Sequence, residues 1–141
     1  MNQYVTISVD GMSIDVPKGL SVLDAALGHG ICIPHLCRVP YISDIGACRL
    51  CIVEHVKNGR SKITTSCTLI AKEGMVISSN TEKIIKLRRN IAELLVAEAP
   101  NSRAVQDVAM RCGVKKVRYP FRNSEEIAVF PKNPVSLLRN I

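Results

Sequence analysis

The sequence predicts an α+β fold: a small mixed sheet gripping one helix, then a two-helix appendage, then an extended tail. Three observations carry that expectation. Apolar residues alternate with polar ones on both sides of Asp10-Gly11, the pattern of a hairpin. Short apolar runs bounded by turn residues return between residues 52 and 78. Beyond residue 80 the apolar spacing changes to that of helices, and it ends at Gly113. The implied boundaries are 1–80 for the sheet domain, 81–113 for the appendage and 114–141 for the tail.

Val5, Ile7 and Val9 lead into the turn, and Met12, Ile14 and Val16 lead away from it, so two strands share one apolar face. Pro17 and Gly19 close the hairpin. Ser21 and Asp24 form a capping-box pattern ahead of Val22, Leu23, Ala26 and Leu27, and Gly28 and Gly30 end that short helix. No period holds from Ile31 to Cys51, which reads as a loop. Ile52–Val56 and Ile63–Ser66 read as strands around an Asn58-Gly59 turn, and Met75–Ser78 as a last short strand. Ser79 and Glu82 suggest a second capping box. Behind it Ile84, Leu87, Ile91 and Leu94 or Leu95 recur at helical spacing, with Lys83, Lys86, Arg88, Arg89 and Glu93 mostly on other faces. Ala99-Pro100 stops that helix. Another starts near Asn101 or Ser102, buries Val105, Val108, Ala109 and Cys112, and stops at Gly113. Pro120, Pro131 and Pro134 punctuate the rest, which shows no sustained period.

With 47% apolar residues the chain can build a core, and with no Trp and 4% aromatics that core must be aliphatic. No apolar run approaches the roughly 18 residues of a membrane span. No basic-then-apolar leader opens the chain. A cytoplasmic protein without membrane insertion is therefore expected. The net charge of +7 is uneven: seven Lys/Arg face six Asp/Glu in residues 1–81, and twelve face six in residues 82–141. A basic half can serve nucleic acid, an anionic membrane or an acidic protein. Interleaved aromatics, Gly-rich RNA signals and a helix-turn-helix pattern are missing, which sets nucleic acid aside and leaves a protein partner. The basic face of Lys83, Lys86, Arg88 and Arg89 reads first as solvated, and second as a docking surface for an acidic partner.

Six cysteines without an export signal read as metal ligands or buried thiols rather than as a disulfide framework. Cys37, Cys48, Cys51 and Cys67 follow the spacing C-x10-C-x2-C-x15-C. A close pair, with one thiol before it and one after, can wrap four thiolates around a small inorganic centre. Two tetrahedral irons bridged by sulfide need four thiolates, so the pattern favours a [2Fe–2S] cluster and one-electron transfer. Zinc takes the same four thiolates, although structural zinc more often uses two C-x2-C knuckles. A zinc-stabilised interaction module therefore stays open at this point. A thioredoxin-like redox pair is a weak reading, because no βαβ context surrounds Cys48 and Cys51.

Gly46 and Ala47 leave room for backbone N–H groups against the sulfurs, and Arg49 adds a positive charge. Cys32, five residues before Cys37, is a fifth candidate ligand, but it and Cys112 read first as small buried thiols. His35 lies close to Cys37, but a Rieske centre needs two histidines each coupled to a cysteine, which His29 and His55 do not supply. All three histidines are expected to be structural or exposed. No residue stands out as a catalytic acid or base.

The segments IPHLCR, GACRLCIVE and TSC, followed by the run ending in RRNIAELL, carry a resemblance. They resemble the N-terminal [2Fe–2S] domain of the large iron–sulfur subunit of respiratory NADH dehydrogenase. They equally resemble the small iron–sulfur subunits of NAD-linked hydrogenases and formate dehydrogenases. The likeness covers residues 3–98. It implies a β-grasp, ferredoxin-like fold, with Cys37, Cys48, Cys51 and Cys67 as ligands of one [2Fe–2S] cluster. It also implies a non-catalytic electron-transfer subunit of a cytoplasmic NAD(P)H-linked oxidoreductase complex, of hydrogenase, formate dehydrogenase or transhydrogenase type. Flavin- and iron–sulfur-containing subunits would be its partners. Relatives of this kind usually continue with a His-x3-Cys-x2-Cys-x5-Cys segment for a [4Fe–4S] cluster, whereas EAPNSRAVQDVAMRCGV keeps only Cys112. A single cluster is therefore expected. A free ferredoxin is the remaining alternative. The basic tail and the helical appendage count against it, since small carriers of this type tend to be acidic.

Overall fold

The computed structural model describes residues 3–39 and 45–122. Strands β1 (Tyr4–Val9) and β2 (Met12–Pro17) pair antiparallel, with Val5 opposite Val16 and Ile7 opposite Ile14. Their turn places Asp10 at φ 51° and Gly11 at φ 81°, the left-handed pair that a tight two-residue hairpin turn requires. Helix α1 (Val22–Gly28) follows, then β3 (Ile52–Lys57), β4 (Arg60–Thr65) and β5 (Val76–Ser78). The five strands form one mixed sheet in the order β2-β1-β5-β3-β4. Strands β1 and β5 run parallel, and the other neighbours are antiparallel.

Side chains alternate along a strand, so Val5, Ile7 and Val9 share a face. Together with Ile14, Val16, Val53 and Ile77 they pack around Val22, Leu23, Ala25 and Ala26 of α1. This is a sheet gripping one helix, a β-grasp, ferredoxin-like α+β fold with the aliphatic core that the composition demands. Ser21 caps α1, its hydroxyl oxygen accepting from the Asp24 amide at 3.1 Å. The first amides of a helix have no partner within it. Here Val22 and Leu23 donate to the carbonyls of Leu69 and Ser66 at 2.7 and 3.1 Å. The start of α1 is thereby tied to the segment that follows β4.

Some local expectations give way to contacts made across the fold. Strand β4 starts at Arg60 rather than Ile63, because ladder pairing with β3 continues to Lys57 and Arg60 beside the turn. Ser79 does not cap the next helix. Its amide and hydroxyl instead donate to the Asp10 carboxylate at 2.6 and 2.5 Å, which clasps the end of β5 to the first hairpin turn. Thr81 takes over the cap, its Oγ1 accepting from the Ile84 amide at 3.3 Å.

The chain divides between Ile85 and Lys86 into two compact units. The second holds most of α2 (Glu82–Glu98) and all of α3 (Arg103–Arg111). The buried positions of α2 are Ile84, Arg88, Ala92, Glu93, Val96 and Ala97, while Leu87 and Leu94 are exposed. The leucine stripe is therefore not the buried one, and Arg88 is buried rather than solvated. Burial here follows available partners. Arg118 donates to the Glu93 carboxylate from its backbone N–H at 2.5 Å, from Nε at 2.9 Å and from Nη2 at 3.0 Å. Ser102 caps α3, and Val105, Val108, Ala109 and Cys112 are buried as their spacing predicts. Gly113, at φ 75°, ends that helix. Residues 114–122 contain no helix or strand, and the rest of the expected tail lies outside the described residues. Among the described residues no helix is long and apolar enough to cross a membrane.

Burial alone would raise the Glu93 carboxyl, but the hydrogen bonds and charge of Arg118 outweigh it and hold the group below its ordinary 4.5. A depressed carboxylate stabilises the fold above its unfolded pKa and loses that contribution as pH falls through the folded value. The Arg118 segment is therefore expected to stay docked at neutral pH and to loosen as pH falls below the ordinary carboxylate range. Glu93→Gln should loosen it at neutral pH as well. Amide exchange is expected to rise several-fold at Val114 and Arg118 in that variant, with β1–β5 unchanged. Unaltered exchange at Arg118 would show that the pair does not anchor the segment.

Candidate metal centre

Three of the four spaced cysteines lie on the long segment between α1 and β3, and the fourth lies just after β4. Cys37 and Cys48 are half-buried, whereas Cys51 and Cys67 are 1% and 2% exposed. Ser66 is the hinge of the arrangement. Its amide and its hydroxyl both donate to the Cys51 carbonyl, at 2.9 and 2.7 Å. Its own carbonyl accepts the Leu23 amide. One residue thus fixes the Cys51 backbone beside Cys67 and fastens both to α1. Cys37 is placed through its neighbour Arg38, which pairs with Asp24 in the first turn of α1. The Asp24 carboxylate also accepts from the Ser21 hydroxyl at 3.0 Å.

Backbone donors meet these sulfurs. The Cys48 amide donates to the Cys37 sulfur at 3.4 Å. The Gly46 amide hydrogen-bonds to Cys67, whose side chain also contacts Cys51. The segment bends sharply to do this, with Gly46 at φ 62° and Arg49 at φ 61°. A Cβ on Gly46 would stand 3.3 Å from both Thr65 Oγ1 and Thr68 Cγ2, and the two threonine hydroxyls are bonded to each other at 2.6 Å. Glycine is needed here both for the left-handed backbone and for the close approach. Gly46→Ala is expected to destabilise this unit by about 1–2 kcal/mol and to lower retained iron. Melting temperature and iron content after gel filtration check this, and a variant indistinguishable from the parent in both would refute it.

Burial pushes the Cys67 thiol up to about 12. The Cys51 side chain and the charges of Cys51 and Cys37 act the same way, while the Gly46 amide pulls it down. Neighbouring thiols cannot all ionise side by side without a cation. Iron held by these sulfurs would compensate their charge, and its binding would release their protons. Among the described residues no three His, Cys, Asp or Glu side chains close around a point as they do for one metal ion. A cluster with two irons spreads its four thiolates over both metals. The donor set fits such a group: four cysteines, amides directed at two of the sulfurs, and a glycine cradle.

The other candidates fall elsewhere. His29 and His35 donate from Nδ1 to the Ala25 and Ile33 carbonyls at 2.9 and 2.8 Å, and His55 lies on β3 opposite Lys62. Cys32 is exposed, contrary to expectation. Its neighbour Ile33 takes the core position, and successive side chains of an extended chain face opposite ways. Cys112 is a buried thiol as expected, and burial raises it above its ordinary value against the opposing charge of Arg88. Ser66, Thr65, Thr68 and the Arg38–Asp24 pair shape the site but were not legible in the sequence. The Ser/Thr-rich stretch before Cys67 was the one local signal available.

The fold and its cysteine-bearing loop define a class, the ferredoxin-like iron–sulfur proteins. Residues 2–82 match the family described as 2Fe-2S iron-sulfur cluster binding domain. The chain belongs to that family, its cofactor is a [2Fe–2S] cluster, and the zinc alternative falls away. The alpha subunit of an NADPH-Fe(3+) oxidoreductase from Geobacter sulfurreducens is 35% identical over 115 residues, 82% of this chain and 13% of that protein. A component of the NADH-quinone oxidoreductase of Mycobacterium tuberculosis is 39% identical over 100 residues, 70% of this chain and 12% of that protein. The fold also matches a chain of the NAD+-reducing [NiFe]-hydrogenase crystallised in its H2-reduced state, with a TM-score of 0.72 and 34% identity. That match covers 91% of this chain and 54% of the hydrogenase chain. The chain thus spans 12–13% of the length of those two curated relatives. These likenesses bear out the resemblance to NADH dehydrogenase and NAD-linked hydrogenase subunits.

Proposed function

We propose that this chain is the electron-transfer subunit of an NAD(P)H-linked oxidoreductase complex, with Cys37, Cys48, Cys51 and Cys67 as ligands of its single [2Fe–2S] cluster. Bound there, such a cluster supplies a centre that takes up and gives back one electron. The chain holds and tunes that centre. The Gly46 amide favours the anionic form of Cys67, the Cys48 amide donates to the Cys37 sulfur, and Arg49 adds positive charge on the same loop. One observation carries the relay role. Cys37 and Cys48 are half-buried, and the residues flanking Cys48 on the loop, Ile45, Ala47 and Arg49, are exposed. A partner's redox group can therefore come close to the sulfurs, and electron transfer falls off steeply with distance.

Partners that contain flavin and iron–sulfur centres fit the relatives, which are named as NADPH-Fe(3+) oxidoreductase, NADH-quinone oxidoreductase and NAD+-reducing hydrogenase. One cluster per chain fits the two cysteines left over: Cys32 is exposed and Cys112 is buried within the second unit. A cytoplasmic setting suits six cysteines that form no disulfide, because reducing compartments keep thiols so.

Protein purified without oxygen is expected to be reddish brown and to hold about two iron and two acid-labile sulfides per chain. It should accept one electron per chain at a low potential, near about −400 mV for a plant-type centre. A colourless protein, or one that takes up no electron reversibly, sinks the reading. Iron well above about two per chain would sink the single-cluster part. Migration in a native extract only as a free monomer would remove the subunit role.

A further inference from the structure

The second unit carries a groove that electron transfer leaves unused. Lys86, Arg89 and Glu93 line it from α2, and Lys115, Lys116 and Arg118 line it from the segment after α3, around a volume of about 520 Å³. Glu93 is the one carboxylate among its lining residues, and Arg118 meets it with three donor nitrogens. Lys86, Arg89, Lys115 and Lys116 are exposed, and among the described residues no ion pair neutralises them. Four cations in excess make this an anion-binding surface.

Two further features decide which anion. Phosphate sites are commonly built from convergent backbone N–H groups. Here the Gly113 and Val114 amides are already bonded to the Met110 and Ala109 carbonyls, both at 3.0 Å. What remains is a set of long cationic side chains, which suits spaced carboxylates. The second feature is apolar. Leu87 and Leu94 are 37% and 49% exposed, two turns apart on α2. Asn90 of the groove lies three residues after one and four before the other, so it shares their face of the helix. Exposed apolar anchors beside cations are the composition of a protein interface rather than of a small-anion pocket.

We propose that this groove and the adjoining leucines dock an acidic segment of a partner polypeptide. Its carboxylates face Lys86, Arg89, Lys115 and Lys116, and an apolar residue covers Leu87 and Leu94. The proposal rests on the reading of the chain as a subunit, and names the surface and the chemistry of the partner that meets it.

The probe is a fluorescent glutamate-rich peptide bearing two leucines, titrated against the full cluster-loaded chain and followed by anisotropy. Binding is expected to weaken with salt. K86E/R89E should weaken it by about tenfold or more, and L87S/L94S should weaken it several-fold with the salt dependence unchanged. R60E/K62E makes the same charge change on exposed residues of β4 and should leave binding as it was. Equal loss in R60E/K62E would mean general attraction to a basic chain and overturns the proposal. So does displacement of the peptide by inorganic pyrophosphate together with indifference to L87S/L94S, which would assign the groove to phosphate. Self-association abolished by K86E/R89E would give the surface to a second copy and overturns it too. Visible absorbance on the same samples separates the two claims. Absent peptide binding with intact absorbance ends the docking proposal alone, whereas a parent chain without absorbance ends the electron-transfer reading.

Discussion

Replacing Cys67 with alanine is expected to abolish the visible absorbance and the bound iron, whereas Cys32→Ser and Cys112→Ser leave both intact. Cys67 is 2% exposed, receives the Gly46 amide and lies against Cys51. With Cys67 as a proposed ligand, removing its sulfur would leave one of two irons short of a ligand at a buried position, where water cannot readily take its place. Metal binding is also folding free energy, so the variant should melt lower and more broadly than the loaded parent. Cys32 and Cys112 serve as controls because one is exposed and the other lies in the second unit. Iron analysis, absorbance and thermal melting on the three variants decide the matter. A Cys67→Ala protein with full iron, or a Cys32→Ser protein without it, would show that the ligand set is wrong.

Leu23→Ala is expected to cost about 2–5 kcal/mol, the range for emptying a fully buried leucine site. Leu23 is 0% exposed, sits in α1 at the centre of the aliphatic core, and touches the side of the sheet that grips the helix. For a unit of this size each kcal/mol moves the midpoint by roughly 4–8 °C, so the loss should exceed 8 °C at the least, by roughly the same relation. The effect should reach the metal centre. The Leu23 amide holds the Ser66 carbonyl, and Ser66 holds the Cys51 backbone. Cluster absorbance should therefore fade at the same temperature as the helical signal, and earlier than in the parent. Leu94→Ala, at a 49% exposed position, should cost less than about 0.5 kcal/mol. Similar losses for the two leucines would contradict the assignment of the core.

The hairpin and the helix behind it were open to reading because their signals are local. Asp10-Gly11 selects a turn through its backbone conformations, and Val5, Ile7 and Val9 mark a face through a period of two. Ser21 announces α1 because a cap bonds only to the next few amides. Ser79 offered an equally good local signal and was misleading. The Asp10 carboxylate, 69 residues away, claimed both of its donors. The α2 stripe failed for a related reason. Its leucines keep helical spacing, yet Arg88 and Glu93 are the buried residues, and Glu93 is met by Arg118 from beyond α3. A hydrophobic count cannot register a charge that brings its own partner.

By itself the sequence settled the order of strands and helices, the family, and the four cysteines worth testing. Period, turn chemistry and the valence of iron toward thiolate act over a few neighbouring residues or through residue type alone, so they are written directly in the chain. Tertiary structure alone decided which side chains hold those cysteines in place, which face of α2 is covered, and that Cys32 looks outward while Ile33 looks in. Those outcomes come from bonds such as Ser66 to Cys51 and Arg38 to Asp24, between residues that meet only after the sheet has closed on its helix.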